Sequence, residues 1–250
     1  MSDSLVIIPT FNEKENISAI ILEVLALKKG FDILVVDDNS PDGTADIVKR
    51  IMLQYAERLF ILERSGKLGL GTAYIAGFKY ALDRGYEFIF EMDADFSHNP
   101  KDLMNLYSAC EEKGNDMAIG SRYSSGVNVV NWPMGRVLLS YFASIYVQVV
   151  TGMSIKDATA GFVCYRRKVL QTIDLDRVKF VGYAFQIEMK FSAWKYGYKI
   201  TEVPIIFTNR ALGESKMSTG ILSEAVFGII RMKFSSFFKS YDLANQSEST

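Results

Sequence analysis

Five short apolar runs punctuate the first half of the chain: Leu5 to Ile8, Ile33 to Val36, Phe60 to Leu62, Phe88 to Met92 and Met117 to Ile119. Several are β-branched and almost continuously apolar, as strands buried on both faces of a parallel sheet should be. Between them the period becomes helical. Ile17, Ile20, Ile21 and Val24 make one apolar stripe, and Asn12 with Glu15 has capping-box spacing, so a helix is expected to open there. Further helices are predicted from Thr44 to Tyr55, from Thr72 to Arg84 and, behind Pro100, from Lys101 to Glu112. Strand and helix alternating in this way imply right-handed βαβ crossovers and a twisted, mainly parallel α/β sheet flanked by helices. Ligands then belong at the carboxyl ends of the strands.

After Gly120 the rhythm changes. A Ser/Gly/Asn-rich loop, Ser124 to Asn131, leads through Arg136 into 19 uncharged residues, Val137 to Ile155. That length reaches the lower limit for a membrane span. Ser140, Ser144, Gln148 and Thr151 nevertheless recur at helical spacing, a polar stripe that lipid on all sides would penalise. An amphipathic helix lying against the sheet or the bilayer surface is therefore favoured. A second candidate runs from Ile221 to Phe238, with Phe227, Ile230, Phe234, Phe237 and Phe238 beside Arg231, Lys233 and Lys239. It reads either as a core helix or as an interfacial one. Without repeats or a linker, the simplest organisation is a catalytic domain over 1–217, an amphipathic helical appendage over 218–240 and a polar tail over 241–250.

Composition narrows the class. The chain has 250 residues, 49% of them apolar, with 28 basic side chains against 29 acidic. A globular protein of this length buries about 70 to 75% of its extended-chain surface. The charge balance excludes a uniformly basic coat for nucleic acid, and no nucleic-acid partner is expected. Cys110 and Cys164 show no repeating spacing, and the N-terminus lacks a basic, then apolar leader, so a reducing cytoplasmic location is expected. Averaging hides an asymmetry. Residues 1–125 hold 13 basic and 20 acidic side chains, whereas residues 126–250 hold 15 and 9. The first half could host a cation, and the second could face phosphates or an anionic membrane.

Candidate chemistry clusters at strand ends. Asp93-Ala94-Asp95 is expected to end the fourth strand, where side chains two apart share a face and both carboxylates can meet one hard cation. Asp37 and Asp38 close the second strand before the turn-forming Asn39 to Gly43, with Asp42 or Thr44 available to cap the next helix. The run Gly66 to Thr72 suits phosphate but matches neither a dinucleotide nor a P-loop pattern. Arg122, Arg136, Arg210 and Lys216 stand in polar or glycine-containing settings suited to phosphoryl oxygens. The lone histidine, His98, reads as a loop-shaping residue rather than a base.

Together these segments resemble the polyprenol (dolichol) phosphate mannosyltransferases of glycosyltransferase family 2. The likeness rests on Pro9-Thr10-Phe11-Asn12-Glu13, Val35 to Thr44, Gly69-Leu70-Gly71-Thr72-Ala73, Met92 to His98 and Gly120-Ser121-Arg122-Tyr123. Thr159-Ala160-Gly161-Phe162, Gly182 to Glu188 and Gly213-Glu214-Ser215-Lys216 continue it, so it covers about residues 5–235. The resemblance implies a GT-A fold and inverting transfer of mannose from GDP-mannose to a polyprenyl or dolichyl phosphate. It also implies a Mg²⁺ or Mn²⁺ cofactor. A prenyl chain that cannot leave the bilayer cheaply, with no convincing span in the sequence, points to peripheral attachment at the cytoplasmic face of an anionic membrane through the Arg136 to Thr151 helix and the Ile221 to Phe238 segment. Carried across, Pro9, Phe11, Glu13, Val36 and Asp38 would form the guanosine pocket. Asp93, Ala94 and Asp95 would lie at the ribose, diphosphate and metal, with Asp95 the first-choice ligand. Arg122, Arg210 and Lys216 would hold phosphates, and Arg136 would receive the acceptor phosphate. Phe11 stands where the family usually has Tyr, and Ser97 replaces a Gln found in some members. A glucosyltransferase using UDP-glucose is the nearest rival, and a non-catalytic nucleotide-binding membrane adaptor is the rival of another class.

Overall fold

The computed structural model describes residues 2–182, 184–209 and 220–241. Its strands form where the apolar runs fall: β1 (Ser4–Thr10), β2 (Asp32–Asp37), β3 (Leu59–Glu63), β4 (Phe88–Glu91) and β5 (Met117–Ser121). Between them lie α1 (Ile17–Leu25), α2 (Thr44–Met52), α3 (Leu70–Asp83) and α4 (Asp102–Glu111). The second half adds β6 (Val129–Val130), α5 (Met134–Thr151), β7 (Val163–Arg166), α6 (Arg167–Thr172) and α7 (Ala184–Lys195). It ends with β8 (Ile200–Pro204), β9 (Phe207–Thr208), α8 (Gly220–Ser235) and a 3-10 turn at Ser236–Phe238.

The main sheet has seven strands in the order β3-β2-β1-β4-β7-β5-β8. Its pairings are parallel except those of β7, which is antiparallel to both β4 and β5. Alternate residues of β1 serve opposite layers, as the pleat requires. Leu5 and Ile7 pack with α3 and α7, while Val6 and Ile8 pack with α1 and α4. At Gly77, α3 comes so close to β1 that an added Cβ would sit 2.6 Å from Ile7 Cγ2.

The expected capping box does not form. Helix α1 starts only at Ile17, and Asn12 adopts φ 56° with its N–H donated to Ser40 Oγ at 3.0 Å. The stretch that would have capped the helix instead docks on the turn after β2. Asn tolerates this left-handed conformation better than most residues.

Helix α5 is, among the described residues, the one helix long and apolar enough to cross a membrane. It is packed inside out. Ser144, Val147 and Thr151 are buried, whereas Leu138, Leu139, Tyr141, Phe142 and Val149 are exposed. The polar stripe thus faces the protein and the apolar side faces outward, the reverse of a water-exposed helix. Gly152, at φ 80°, ends the helix by returning its N–H to Gln148 O at 2.8 Å. Helix α8 lies alongside: the Tyr146 hydroxyl donates to Val226 O at 2.8 Å, and Lys233 Nζ donates to Thr151 O at 2.7 Å. Ile229 holds α8 in the core, while Phe227, Phe234, Phe237 and Phe238 are exposed.

Candidate active site

The loops after β1 and β2 are knitted together at the carboxyl edge of the sheet. Asp37 Oδ1 accepts the Thr10 hydroxyl (2.7 Å) and the Ser40 hydroxyl (2.6 Å), and Oδ2 accepts the Ser40 N–H (2.8 Å). The Glu13 N–H donates to Thr44 Oγ1 at 3.0 Å and the Lys14 N–H to Asp42 Oδ2 at 3.1 Å. Just ahead of α2, Asp42 also accepts the Thr44 N–H at 3.0 Å and its hydroxyl at 2.6 Å. Partial burial opposes ionisation of Asp42, but hydrogen bonds from Thr44 and the Lys14 N–H hold its carboxyl below the usual value.

Asp38 is drawn toward the glycine-rich run. Arg64 Nε donates to Asp38 Oδ1 at 2.6 Å, and the Leu68 N–H reaches Oδ2 at 3.3 Å. Arg64 also donates to Thr72 Oγ1 (2.7 Å) and Gly69 O (3.2 Å), fastening that run over the second strand's turn. Lys67 Nζ then sits 5.0 Å from the Phe11 ring centroid, a cation–π contact. Asp38 and Phe11 thus both adjoin the glycine-rich run, and Glu13 is tied to the turn that follows Asp38. The Val36 side chain is fully buried, in the core cluster that includes α3. Pro9 lies in β1, paired with Val36. Gly71 has a steric reason, since an added Cβ would meet Phe180 O and Phe185 Cγ, each at 2.8 Å.

Asp93, Ala94 and Asp95 lie beyond β4, which stops at Glu91, and not on the strand as expected. The Met92 N–H still reaches Ile7 O (3.1 Å), after which the Asp93 N–H turns to His98 Nδ1 (3.4 Å) and Phe96 at φ 58° reverses the chain. The loop, not strand alternation, sets the two carboxylates. Asp95 is buried and accepts the Ser97 N–H on Oδ1 at 3.0 Å, and Tyr74 donates its hydroxyl to Asp93 Oδ1 at 3.5 Å. His98 is buried in a stack on Phe162 (centroids 4.8 Å apart, 11°) and edge-on to Phe207. Burial lowers its pKa to about 4, outweighing Asp95, so it is a neutral ring that shapes the loop. Oxygen donors from two aspartates suit a hard divalent ion. No group of three or more His, Cys, Asp and Glu side chains fit to hold a metal occurs among the described residues.

Behind these carboxylates lies a buried polar floor that the sequence did not reveal. Gln186 Nε2 donates to Glu91 Oε2 at 2.6 Å, the Tyr165 hydroxyl to Oε1 at 3.3 Å, and Lys190 Nζ to Ala160 O at 2.6 Å. Burial pushes Glu91 up to about 8 and Lys190 down to about 8.

The opposite wall is cationic. Arg122 follows β5 and is buried, with Nε and Nη2 forking onto the fully buried Asp157 at 2.8 and 2.6 Å. Its own N–H adds a third bond to Asp157 Oδ2 at 2.9 Å. Its guanidinium also lies 5.2 Å from the Tyr123 ring and 5.6 Å from the Trp132 ring. Arg136, in the first turn of α5, stacks on Trp132 at 4.1 Å and donates to Asn209 Oδ1 at 3.1 Å. The Tyr123 hydroxyl and Trp132 Nε1 are buried without a hydrogen-bond partner. Arg210 and Lys216, expected to hold phosphates, lie outside the described residues. The sequence reading missed Arg64, Trp132 and Asp157. For Arg64 alone there was a signal, a cation placed directly after a strand.

An open, mostly parallel sheet with acidic loops at its carboxyl edge and arginines after β5 and in α5 defines an α/β protein with a ligand-binding crevice at that edge. The chain belongs to Glycosyl transferase family 2, whose family model matches residues 5–174. It is 47% identical over 226 residues to the polyprenol monophosphomannose synthase of Mycolicibacterium smegmatis, covering 90% of this chain and 85% of that one. It is 44% identical over 227 residues to the undecaprenyl-phosphate mannosyltransferase of Micrococcus luteus, covering 91% and 92%. Among solved structures it is similar to glucosyl-3-phosphoglycerate synthase from Mycobacterium tuberculosis, in complex with Mn²⁺, UDP and glucosyl-3-phosphoglycerate. That likeness has a TM-score of 0.65 at 15% identity, covers 93% of this chain and 78% of that one, and speaks for the fold alone. The protein is thus a glycosyltransferase with the GT-A type of α/β fold, as its sequence resemblance implied.

Proposed function

We propose that this enzyme transfers mannose from GDP-mannose to a polyprenyl or dolichyl phosphate, with inversion, at the cytoplasmic surface of a membrane. The observation that carries the reading is the 47% and 44% identity, over nine-tenths of the chain, to two enzymes named for mannosyl transfer to polyprenyl phosphates. The buried, unpartnered Tyr123 hydroxyl and Trp132 Nε1 near Arg122 and Arg136 support it, because an oxyanion would satisfy them.

The chemistry needs little from the protein as a base. An acceptor phosphate, with a second pKa of about 6, is already largely ionised near neutral pH. Arg136, braced by Trp132 and Asn209, receives that phosphate and aims its oxygen at the anomeric carbon. Phe11, Glu13 and Asp38 line the base and ribose side, with Arg64 fixing the orientation of Asp38. Asp95 and Asp93 would hold Mg²⁺ or Mn²⁺, which would supply positive charge for the diphosphate leaving group. Helices α5 and α8 bring the site to the lipid by seating their exposed aliphatic and aromatic side chains in the interface.

The deciding experiment incubates the protein with radiolabelled GDP-mannose or UDP-glucose, a polyprenyl phosphate and Mn²⁺, and counts label in the organic phase. Label from GDP-mannose alone is expected. Label from UDP-glucose alone would replace the mannosyl reading with a glucosyl one, and label from neither would favour a binding role.

A further inference from the structure

A cavity of about 790 Å³ lies between α7, α8 and the segment that leads into α7. None of Asp93, Asp95, Arg122 and Arg136 lines it. Phe191 and Phe227 give it an aromatic wall, and Lys179, Arg231 and Lys239 give it positive charge. Among the described residues, none of these three cations is in an ion pair. Its carboxylate, Glu188, is already committed: Oε2 accepts the N–H groups of Lys179 (2.9 Å) and Phe180 (3.0 Å). A cavity in which three cations outnumber one carboxylate, with apolar walls, suits an amphiphilic anion, and its volume is that of an ordinary small-molecule site.

Its mouth also fixes the orientation of such a ligand. Phe227 lines the cavity yet is 75% exposed, and it continues into the exposed Phe234 on the same helix. We propose that this cavity binds the phosphate headgroup of an anionic bilayer phospholipid. Lys179, Arg231 and Lys239 meet the phosphate, and the chains follow Phe227 onto the outer face of α8. The proposal rests on the membrane attachment put forward above. This lipid is not the acceptor, whose phosphate must reach the sugar beside Asp93 and Asp95.

The test uses the full chain and monomeric dihexanoyl phosphatidylglycerol, followed by calorimetry. Dihexanoyl phosphatidylcholine, inorganic phosphate and farnesyl phosphate serve as comparisons. Phosphatidylglycerol is expected to bind at one site about tenfold more tightly than phosphatidylcholine or inorganic phosphate, and Arg231→Ala/Lys239→Ala should weaken it about tenfold. Lys179→Ala provides a second variant, and unchanged thermal melting confirms that each is folded. Equal binding by wild type and the variants, or equal affinity for inorganic phosphate, would overturn the proposal. So would displacement of phosphatidylglycerol by farnesyl phosphate at lower concentration. Vesicle sedimentation separates the two readings: wild type that binds the monomeric lipid but ignores anionic vesicles retains the pocket and loses the membrane attachment.

Discussion

Replacing Asp157 by Asn tests whether the cationic wall is held by one buried ion pair. Asp157 is fully buried and takes three bonds from Arg122, at 2.6, 2.8 and 2.9 Å. Arg122 is itself only 7% exposed, so the amide variant leaves a guanidinium out of water facing a donor where it had an anion. Breaking a buried pair from one side costs about 3–5 kcal/mol. For a chain of this length, each kcal/mol lowers the melting temperature by about 2–4 °C, so a fall of roughly 6–20 °C is expected. Urea denaturation should show a lower midpoint with unchanged slope. The double variant Arg122→Met/Asp157→Leu, with neither charge left buried, should be more stable than Asp157→Asn. The reasoning fails if Asp157→Asn loses less than about 1 kcal/mol, or if the double variant is the less stable of the two.

Asp95→Ala should abolish label transfer even at saturating donor with Mg²⁺ or Mn²⁺ restored after chelation, and persisting transfer would remove Asp95 from the metal site. Trp132→Leu strips the platform beneath Arg136, a contact worth about 0.5–2 kcal/mol, so the acceptor KM should rise roughly 2- to 30-fold, with GDP affinity unchanged and partial rescue by Trp132→Phe. Burial raises the Glu91 pKa from 4.5 to about 8, so the folded state keeps a proton that the unfolded state releases. This contribution to stability is present below pH 4.5 and is lost as pH rises toward 8. Lys190, lowered to about 8, is charged in both states over most of that window. Urea midpoints from pH 5 to 7.5 should therefore fall more steeply for wild type than for Glu91→Gln, and parallel curves would refute the assignment. Phe234→Ser/Phe237→Ser/Phe238→Ser should release the protein from anionic liposomes in co-sedimentation, and undiminished binding would return these residues to a role unrelated to lipid.

Much of the first half was legible because it obeys one rule, apolar strand then amphipathic helix, and each of the five runs became a strand. The antiparallel β7 was not legible. Val163 to Arg166 is only four residues long, and its direction depends on a return path that local pattern does not encode. Helix α7 escaped for another reason: Ala184 to Phe191 are all buried, Gln186, Glu188 and Lys190 among them, so no apolar stripe distinguishes its faces. At the site, Asp37 and Asp38 stand at the end of the second strand as expected, while the partners of the charged residues were invisible. Asp157 looks like a polar loop residue until Arg122 arrives from 35 positions away. The DxD geometry was misread because strand alternation was extended past the point where His98 and Phe96 turn the chain.

Helix α5 has no basic residue in its own last turn, and its terminal carbonyl at Thr151 is served by Lys233 from α8. Borrowing that cap makes the two helices a cooperative pair. If α8 peels away, α5 loses a charge-assisted hydrogen bond worth about 1.5–3 kcal/mol. Loss of either helix is therefore expected to weaken the other, so that the pair opens together. A hydrogen-exchange experiment would see this as a shared opening rate for the amides near Thr151 and those near Lys233. Lys233→Met would raise the opening rate at the Thr151 end, where the plate would lift first from the hinge that Tyr146 and Val226 still hold.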